Sequence, residues 1–114
     1  MEIKTKDYSV GYHEETTTAI FQGSLRLNGM QEYAPIVELL DNVLESGVPA
    51  IILDLQQLEF LNSSGINVLS KFVIKVRQKK NIKLVVKASK NIPWQGKSLK
   101  NLQRLLPSLS LELE

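Results

Sequence analysis

Two adjacent serine hydroxyls, on Ser63 and Ser64, are the side chains most able to do chemistry in this sequence. They lie in "LEFLNSSGINVL", residues 58–69, where one apolar run ends and another with helical spacing begins. A phosphoryl group on either hydroxyl would add a charge of about −2 and three strong acceptor oxygens. The start of a helix favours such an anion, because its first N–H groups have no acceptor within the helix. The stretch is therefore one candidate for a phosphorylation site.

The same residues also suit a purely structural helix start. Asn62 is a good N-cap, since its side-chain oxygen can accept a hydrogen bond from a free N–H group of the first turn. Gly65 fits this interpretation less well, because glycine in a helix costs up to ~1 kcal/mol relative to alanine. A residue without a side chain does allow another surface to approach the backbone closely. Capping and phosphorylation therefore both stay open from the residues alone.

The first half of the chain predicts two strands followed by a helix. Residues 8–27 alternate in polarity, with a turn near residues 13–15 and a bulge or bend at Gly23. Residues 31–47 have helical periodicity, and Pro35 predicts that the helix begins close to it. The apolar stripe of this helix consists of Ile36, Leu39, Leu40, Val43 and Leu44.

The second half alternates strands and helices. The apolar run at residues 51–55 predicts a strand covered on both faces. Residues 82–88, 96–106 and 108–114 predict a strand, a helix and an edge strand. Between the strands at residues 51–55 and 82–88, a helix is predicted to begin after residues 62–65. Its apolar stripe consists of Ile66, Leu69, Phe72, Val73 and Val76.

This order of elements predicts an α/β fold. Strands that alternate with helices imply parallel crossovers, and the N-terminal hairpin makes the sheet mixed. We expect one small domain over residues 1–114, with helices packed on a mixed sheet. The hydrophobic content of 43% is sufficient for one core.

Composition excludes several classes of site and location. The chain has no cysteine, which excludes disulfides, thiol nucleophiles and thiolate metal sites. The N-terminal stretch lacks the apolar segment of a signal peptide, and no apolar run approaches the ~20 residues that span a bilayer. We therefore expect a cytoplasmic protein without a membrane span.

Charge is unevenly distributed. Residues 1–57 carry nine acidic and three basic side chains, net −6, whereas residues 58–114 carry eleven basic and three acidic ones, net +8. Every charged residue from Lys71 to Arg104 is basic. Such a run is either a solvated surface or a surface for an anionic partner. Only Phe72 and Trp94 interrupt it with aromatic rings, so nucleic-acid binding is not expected.

Catalytic and metal-dependent functions are not supported by the remaining motifs. "NIPWQGKS", residues 91–98, ends like a phosphate-binding loop, but Asn91 replaces its first glycine and Pro93 lacks an N–H donor. His13 is the only histidine, so the common zinc sites cannot form, and no Gly-x-Ser-x-Gly motif accompanies Ser64. We expect no enzyme, no metal and no cofactor.

The stretch "LDLQQLEFLNSSGINVLSKFV", Leu53 to Val73, resembles the signature region of STAS domains, the family of bacterial anti-sigma factor antagonists. In that family a strand ends in Asp or Asn, a short apolar loop follows, and Asp-Ser-Ser-Gly-Leu or a close variant opens a helix. The match covers the central quarter of the chain, and the order of elements on either side agrees with the family's fold.

The resemblance implies a protein-interaction switch in transcription regulation. Its second serine, Ser64 here, would be phosphorylated by a cognate anti-sigma factor, a serine kinase of the histidine-kinase-like ATPase type, with Ser63 as the alternative acceptor. The unphosphorylated form would bind that partner and the phosphorylated form would dissociate. The implied partner surface comprises Asn62, Ser63, Ser64, Gly65, Ile66, Asn67 and Lys71.

Two acidic positions of the family are changed here. Asn62 stands where the motif usually begins with aspartate, and Arg26 ends Gly23-Ser24-Leu25-Arg26, where the family commonly has Gly-Glu-Leu-Asp. These changes favour an alternative function. On that interpretation the chain is an unregulated STAS scaffold that binds an anionic ligand or another protein through its basic C-terminal half.

Overall fold

The structure, a computed structural model, describes residues 1–114 and contains one mixed six-stranded sheet with three helices. The predicted α/β class is confirmed. No helix combines the length and the apolar character needed to cross a bilayer. The elements in chain order are β1 (Glu2–Lys4), β2 (Tyr8–His13), β3 (Thr18–Leu25), α1 (Gly29–Glu45), β4 (Ala50–Leu61), α2 (Ser63–Lys79), β5 (Lys83–Ala88), α3 (Pro93–Leu105) and β6 (Ser110–Leu113).

The six strands lie side by side in chain order, and this order determines where the helices pack. β1, β2 and β3 pair antiparallel, whereas β3–β4, β4–β5 and β5–β6 are parallel pairs. Each parallel connection passes through one helix and steps in the same direction across the sheet. Because such crossovers are right-handed, α1, α2 and α3 all lie on one face.

The prediction that the central strand is covered on both faces is wrong. In β4, Ile51, Leu53 and Leu55 face the helices and are fully buried. Ile52 and Asp54 point to the other face and are only half-buried. The apolar run suggested a strand between two helical layers, but consecutive crossovers supply only one layer.

Helix α1 starts six residues before Pro35, so the predicted start close to this proline is wrong. The backbone N–H of Asn28 donates to Glu32 Oε1 at 2.7 Å, which stabilises the earlier start. Tyr33 is 1% exposed and extends the buried stripe by one turn. The exposed Pro35 ring removes one N–H donor, and the packing of α1 offsets that loss. The five predicted stripe residues of α1 are all buried.

The buried stripe of α2 differs from the prediction at two residues. Val68 is buried, whereas Ile66 is half-buried at the side of the helix. The other predicted residues are buried, namely Leu69, Phe72, Val73 and Val76.

The bend predicted at Gly23 is confirmed and aligns the ends of β3 and β4. Gly23 has a φ of +88°, and a Cβ there would lie 2.3 Å from the carbonyl oxygen of Asp7. The register between β3 and β4 shifts at this point, so that Leu25 pairs with Leu61. Both strands therefore end together at the residues that lead into α1 and α2.

Helix α3 begins at Pro93, so the Gly-Lys-Ser sequence at residues 96–98 is helical and forms no phosphate-binding loop. The side chain of Gln95 is fully buried and fixes the helix to the sheet. Its amide N–H groups donate to the carbonyl oxygens of Leu55 at 2.6 Å and Leu58 at 3.0 Å, and its oxygen accepts from the Ser89 N–H at 2.7 Å.

The acidic and basic halves of the chain meet between α1 and α2. Lys75 Nζ lies 2.8 Å from Asp41 Oδ1, and Lys79 Nζ lies 3.1 Å from Glu45 Oε1. Both pairs are substantially exposed, so each contributes little to stability. They do neutralise part of the basic run on α2.

We predict that Gln95→Leu destabilises the protein by about 2–4 kcal/mol, because it removes the Gln95 hydrogen bonds to three backbone groups, of which only the Leu58 carbonyl keeps another side-chain donor, Trp94 Nε1 at 3.1 Å. Urea unfolding measures the effect. Gln78→Leu makes the same chemical change at an exposed site of α2 and should stay within about 0.5 kcal/mol of the wild type. Equal midpoints for the two variants would contradict the anchoring role of Gln95.

Candidate functional site

The junction between β4 and α2 is held by the Asn62 side chain, which confirms the predicted N-cap. β4 ends at Leu61, Asn62 has extended backbone angles, and α2 begins at Ser63. Asn62 Oδ1 accepts a hydrogen bond from the Gly65 N–H at 3.0 Å. The cap is therefore supplied by the amide and not by a serine.

Asn62 also connects the junction to the start of α1. The Tyr33 hydroxyl donates to Asn62 Oδ1 at 2.7 Å, and Asn62 Nδ2 donates to the Leu27 carbonyl at 2.8 Å. The Asn62 N–H donates to the Leu25 carbonyl at 3.2 Å. An aspartate at this position could not donate a hydrogen bond to the Leu27 carbonyl. The structure therefore explains why an asparagine occupies this position. Burial raises the pKa of the Tyr33 phenol, so this group stays a protonated donor at neutral pH.

The glycine of the motif is required by close packing. A Cβ on Gly65 would lie 2.2 Å from Leu61 Cδ1 and 2.7 Å from the Tyr33 hydroxyl oxygen. No larger residue fits without displacing these groups. The sequence showed that a second surface could approach here, and the structure identifies that surface as Tyr33 and Leu61. The helical spacing of Tyr33 from Ile36 and Leu40 was the feature of the sequence that could have placed Tyr33 on the buried stripe of α1.

The two serines are left free by this arrangement. Ser63 is exposed and Ser64 is half-buried, and neither hydroxyl makes a hydrogen bond within the chain. The backbone N–H groups of both residues also lack acceptors within the chain. The first turn of α2 contains no acidic side chain. This turn therefore presents two hydroxyls and two N–H donors to solvent.

The other predicted contact residues lie partly on the same surface. Ser63, Asn67 and Lys71 are exposed and four residues apart, so they form one row along α2. Ser64 lies beside this row, and Ile66 lies on the opposite side of it. Lys71 forms no ion pair.

Arg26, which replaces an acid of the family near the predicted phosphorylation site, lies beside the junction. The guanidinium of Arg26 lies over the ring of Phe60, 4.5 Å from its centroid. Phe60 is 38% exposed and pairs with Ser24 where β3 and β4 end. This contact places a positive charge at the C-terminal ends of β3 and β4, next to the start of α2.

The remaining candidates for chemistry lie away from the junction. His13 ends β2 and pairs with Thr18 at the start of β3, whereas Ser64 follows the opposite end of the sheet. A triad of His13 with Ser64 is therefore excluded by topology. Asp54 lies on the helix-free face, where it accepts the Gln56 N–H at 3.1 Å. No cluster of three His, Asp or Glu side chains is present that could hold a metal ion.

Comparison with solved structures finds the same fold in bacterial regulators. Apo-SiaC from Pseudomonas aeruginosa superposes with a TM-score of 0.75 at 12% identity, covering 100% of this chain and 97% of that one. A chain in the complex of the diguanylate cyclase SiaD with its activator SiaC, from the same organism, gives a TM-score of 0.74 at 13% identity, covering 100% and 99%. An anti-sigma factor antagonist from Mycobacterium paratuberculosis gives 0.66 at 18% identity, covering 95% and 90%.

Sequence comparison identifies the family. A search of curated protein sequences finds no significant match. The family model described as STAS domain matches residues 31–94, which include most of α1, all of β4, α2 and β5, and the start of α3. This match spans more than half of the chain and contains the whole Asn62–Gly65 junction. The chain therefore belongs to the STAS domain family.

Proposed function

We propose that this chain is a protein-interaction switch of the anti-sigma factor antagonist type. The surface around the start of α2 binds a protein partner, and phosphorylation of Ser64 releases it. One observation carries the proposal: Asn62 provides the helix cap, so the hydroxyls of Ser63 and Ser64 have no structural hydrogen bond to give up. The chain acts in the cytoplasm by binding, without a catalytic group or cofactor of its own.

The environment of Ser64 suits a regulatory phosphate. The free N–H groups of the first turn and the helix dipole stabilise an anion there. No acidic side chain in that turn opposes it, and Arg26 lies at the nearby edge of the sheet. The added charge of about −2 would disrupt a close protein interface by repulsion and by the cost of desolvation.

The partner class follows from the family motif. Ser63-Ser64-Gly65 at the start of a helix is the feature on which kinase-type anti-sigma factors act, so we expect a serine kinase of the histidine-kinase-like ATPase type. SiaC, which shares the fold, is named as the activator of a diguanylate cyclase, so partners of this fold extend to signalling enzymes.

An unregulated STAS scaffold is the second candidate, because Arg26 and Asn62 replace two acids of the family. The structure weakens this argument at Asn62, whose amide is needed as a donor to Leu27. On α2 the pairing of Lys75 and Lys79 with acids of α1 interrupts the basic surface, whereas the other nine basic residues of the run form no ion pair. We therefore prefer the switch.

Ser64→Asp is expected to weaken binding of the co-purified partner at least about tenfold, or about 1.4 kcal/mol, because it places a charge in the interface. Ser64→Ala should retain binding. Ser63→Asp adds the same charge one residue away and serves as the matched control, with a smaller loss expected. Titration of the purified partner by calorimetry measures all three variants.

The scaffold alternative predicts a different result. Ser64→Asp would then leave partner binding unchanged, whereas neutralising the basic run would weaken binding in a salt-dependent manner. Phosphosite mapping of the tagged protein from its own cells, during growth and stress, provides the independent test. An unmodified Ser64 under both conditions, with no kinase recovered, would contradict the switch.

Asn62→Ala is expected to destabilise the protein by about 1–3 kcal/mol, because it removes the helix cap and the donor to the Leu27 carbonyl, and leaves the Tyr33 hydroxyl only its longer contact with the Leu25 carbonyl at 3.4 Å. Asn62→Asp should cost less, since a carboxylate still caps the helix but cannot donate to Leu27. Asn67→Ala, at an exposed position of the same helix, is the control. Urea unfolding should rank the variants in this order, and equal effects of Asn62→Ala and Asn67→Ala would refute it.

A further inference from the structure

An apolar groove lies between α1 and α2, next to the candidate site. It has a volume of about 240 Å³ and is open to solvent. Met30 is one of its lining residues and is 43% exposed. Lys71 and Lys75 line the groove together with Asp41. Its apolar lining consists of Met30, Val37, Leu40, Val68 and Phe72.

We propose that this groove binds an acidic amphipathic helix of the partner protein. The inference rests on the proposed function, because it concerns the same partner, and goes beyond it by naming the occupant. Binding of a helix in a groove uses apolar anchors three or four residues apart, with polar residues on the outer side. The groove lies between α1 and α2, and its apolar lining and opening to solvent allow such anchors to enter it.

The size of the groove favours a partner side chain over a free small molecule. Sites for drug-sized ligands enclose about 300–1,000 Å³. A volume of about 240 Å³ is below this range and suits one or two apolar side chains presented by a larger surface.

The charge around the groove specifies an acidic partner. Lys75 is already paired with Asp41 at 2.8 Å, but Lys71 is exposed and forms no ion pair. α2 carries no acidic residue along its whole length. A carboxylate on the partner helix would complement Lys71, and such complementarity determines which partners bind and how fast they associate.

The groove and the proposed phosphorylation site share one face of α2. Ser64, Val68, Lys71, Phe72 and Lys75 are separated by four, three, one and three residues, which places them on a single helical stripe. Ser64 is the N-terminal end of this stripe. A partner helix that follows the stripe reaches Ser64, where a phosphate would repel its carboxylates.

Site-specific photo-cross-linking tests the inference. A photoreactive phenylalanine analogue is placed at position 30 of the full chain in its own cells, and at position 100 on the exposed surface of α3 as the control. We expect position 30 alone to capture the partner, through a peptide of net negative charge with apolar residues at helical spacing. Lys71→Glu should lower the yield at least about tenfold, whereas Lys100→Glu should leave it nearly unchanged.

Several results would overturn the inference. These are the absence of a protein cross-link from position 30, a captured peptide that is basic or lacks helical spacing, a small-molecule adduct, or equal effects of Lys71→Glu and Lys100→Glu. The proposed switch can fail separately. If Ser64→Asp leaves the cross-link unchanged while Lys71→Glu abolishes it, partner binding in the groove is supported and the proposed switch is contradicted. If Ser64→Asp releases a partner that position 30 never captures, the switch stands without the groove.

Discussion

The side-chain amide of Asn62 is the interaction on which the geometry of the candidate site depends. Its oxygen accepts from the first turn of α2 and from Tyr33 on α1, while its nitrogen donates to Leu27 between β3 and α1. Both the oxygen and the nitrogen of the amide are needed, because together they join α2, α1 and the segment between β3 and α1. Such satisfied polar networks favour a single arrangement. The first turn of α2 is therefore held in place while both serines remain free for another use.

Local patterns in the sequence predicted the elements of this site, but not how they contact each other. The apolar stripe of α1 and the cap at Asn62 follow from residues within one or two turns. The bonds of Asn62 to Tyr33 and Leu27 join residues 29 and 35 positions apart, which no local periodicity shows. The predicted start of α1 was wrong because it rested on Pro35 alone, whereas the contact of Glu32 with Asn28 supports a start six residues earlier. β1 has three residues, too few for an alternating pattern, and was missed.

The charge asymmetry has a different meaning in three dimensions from the one it has along the chain. Acidic side chains of α1 and basic ones of α2 come together, so part of the asymmetry is internal pairing. Of the eleven basic residues from Lys71 to Arg104, only Lys75 and Lys79 form ion pairs, so most of the basic run stays unpaired. Lys71 stands between the serines and the paired lysines, beside an apolar groove. Lys71 is therefore the unpaired basic side chain of the run that lies next to the candidate site.

The outermost strands of the sheet limit association between copies of the chain. An exposed strand edge is a template for pairing with another molecule, and the hazard grows with the length of the free edge. Here both edges belong to the shortest strands, β1 with three residues and β6 with four. Each contains an acidic side chain, and the longest strand, β4, lies in the interior. The sheet can therefore leave one whole face free of helices and still offer little backbone on which an aggregate could start.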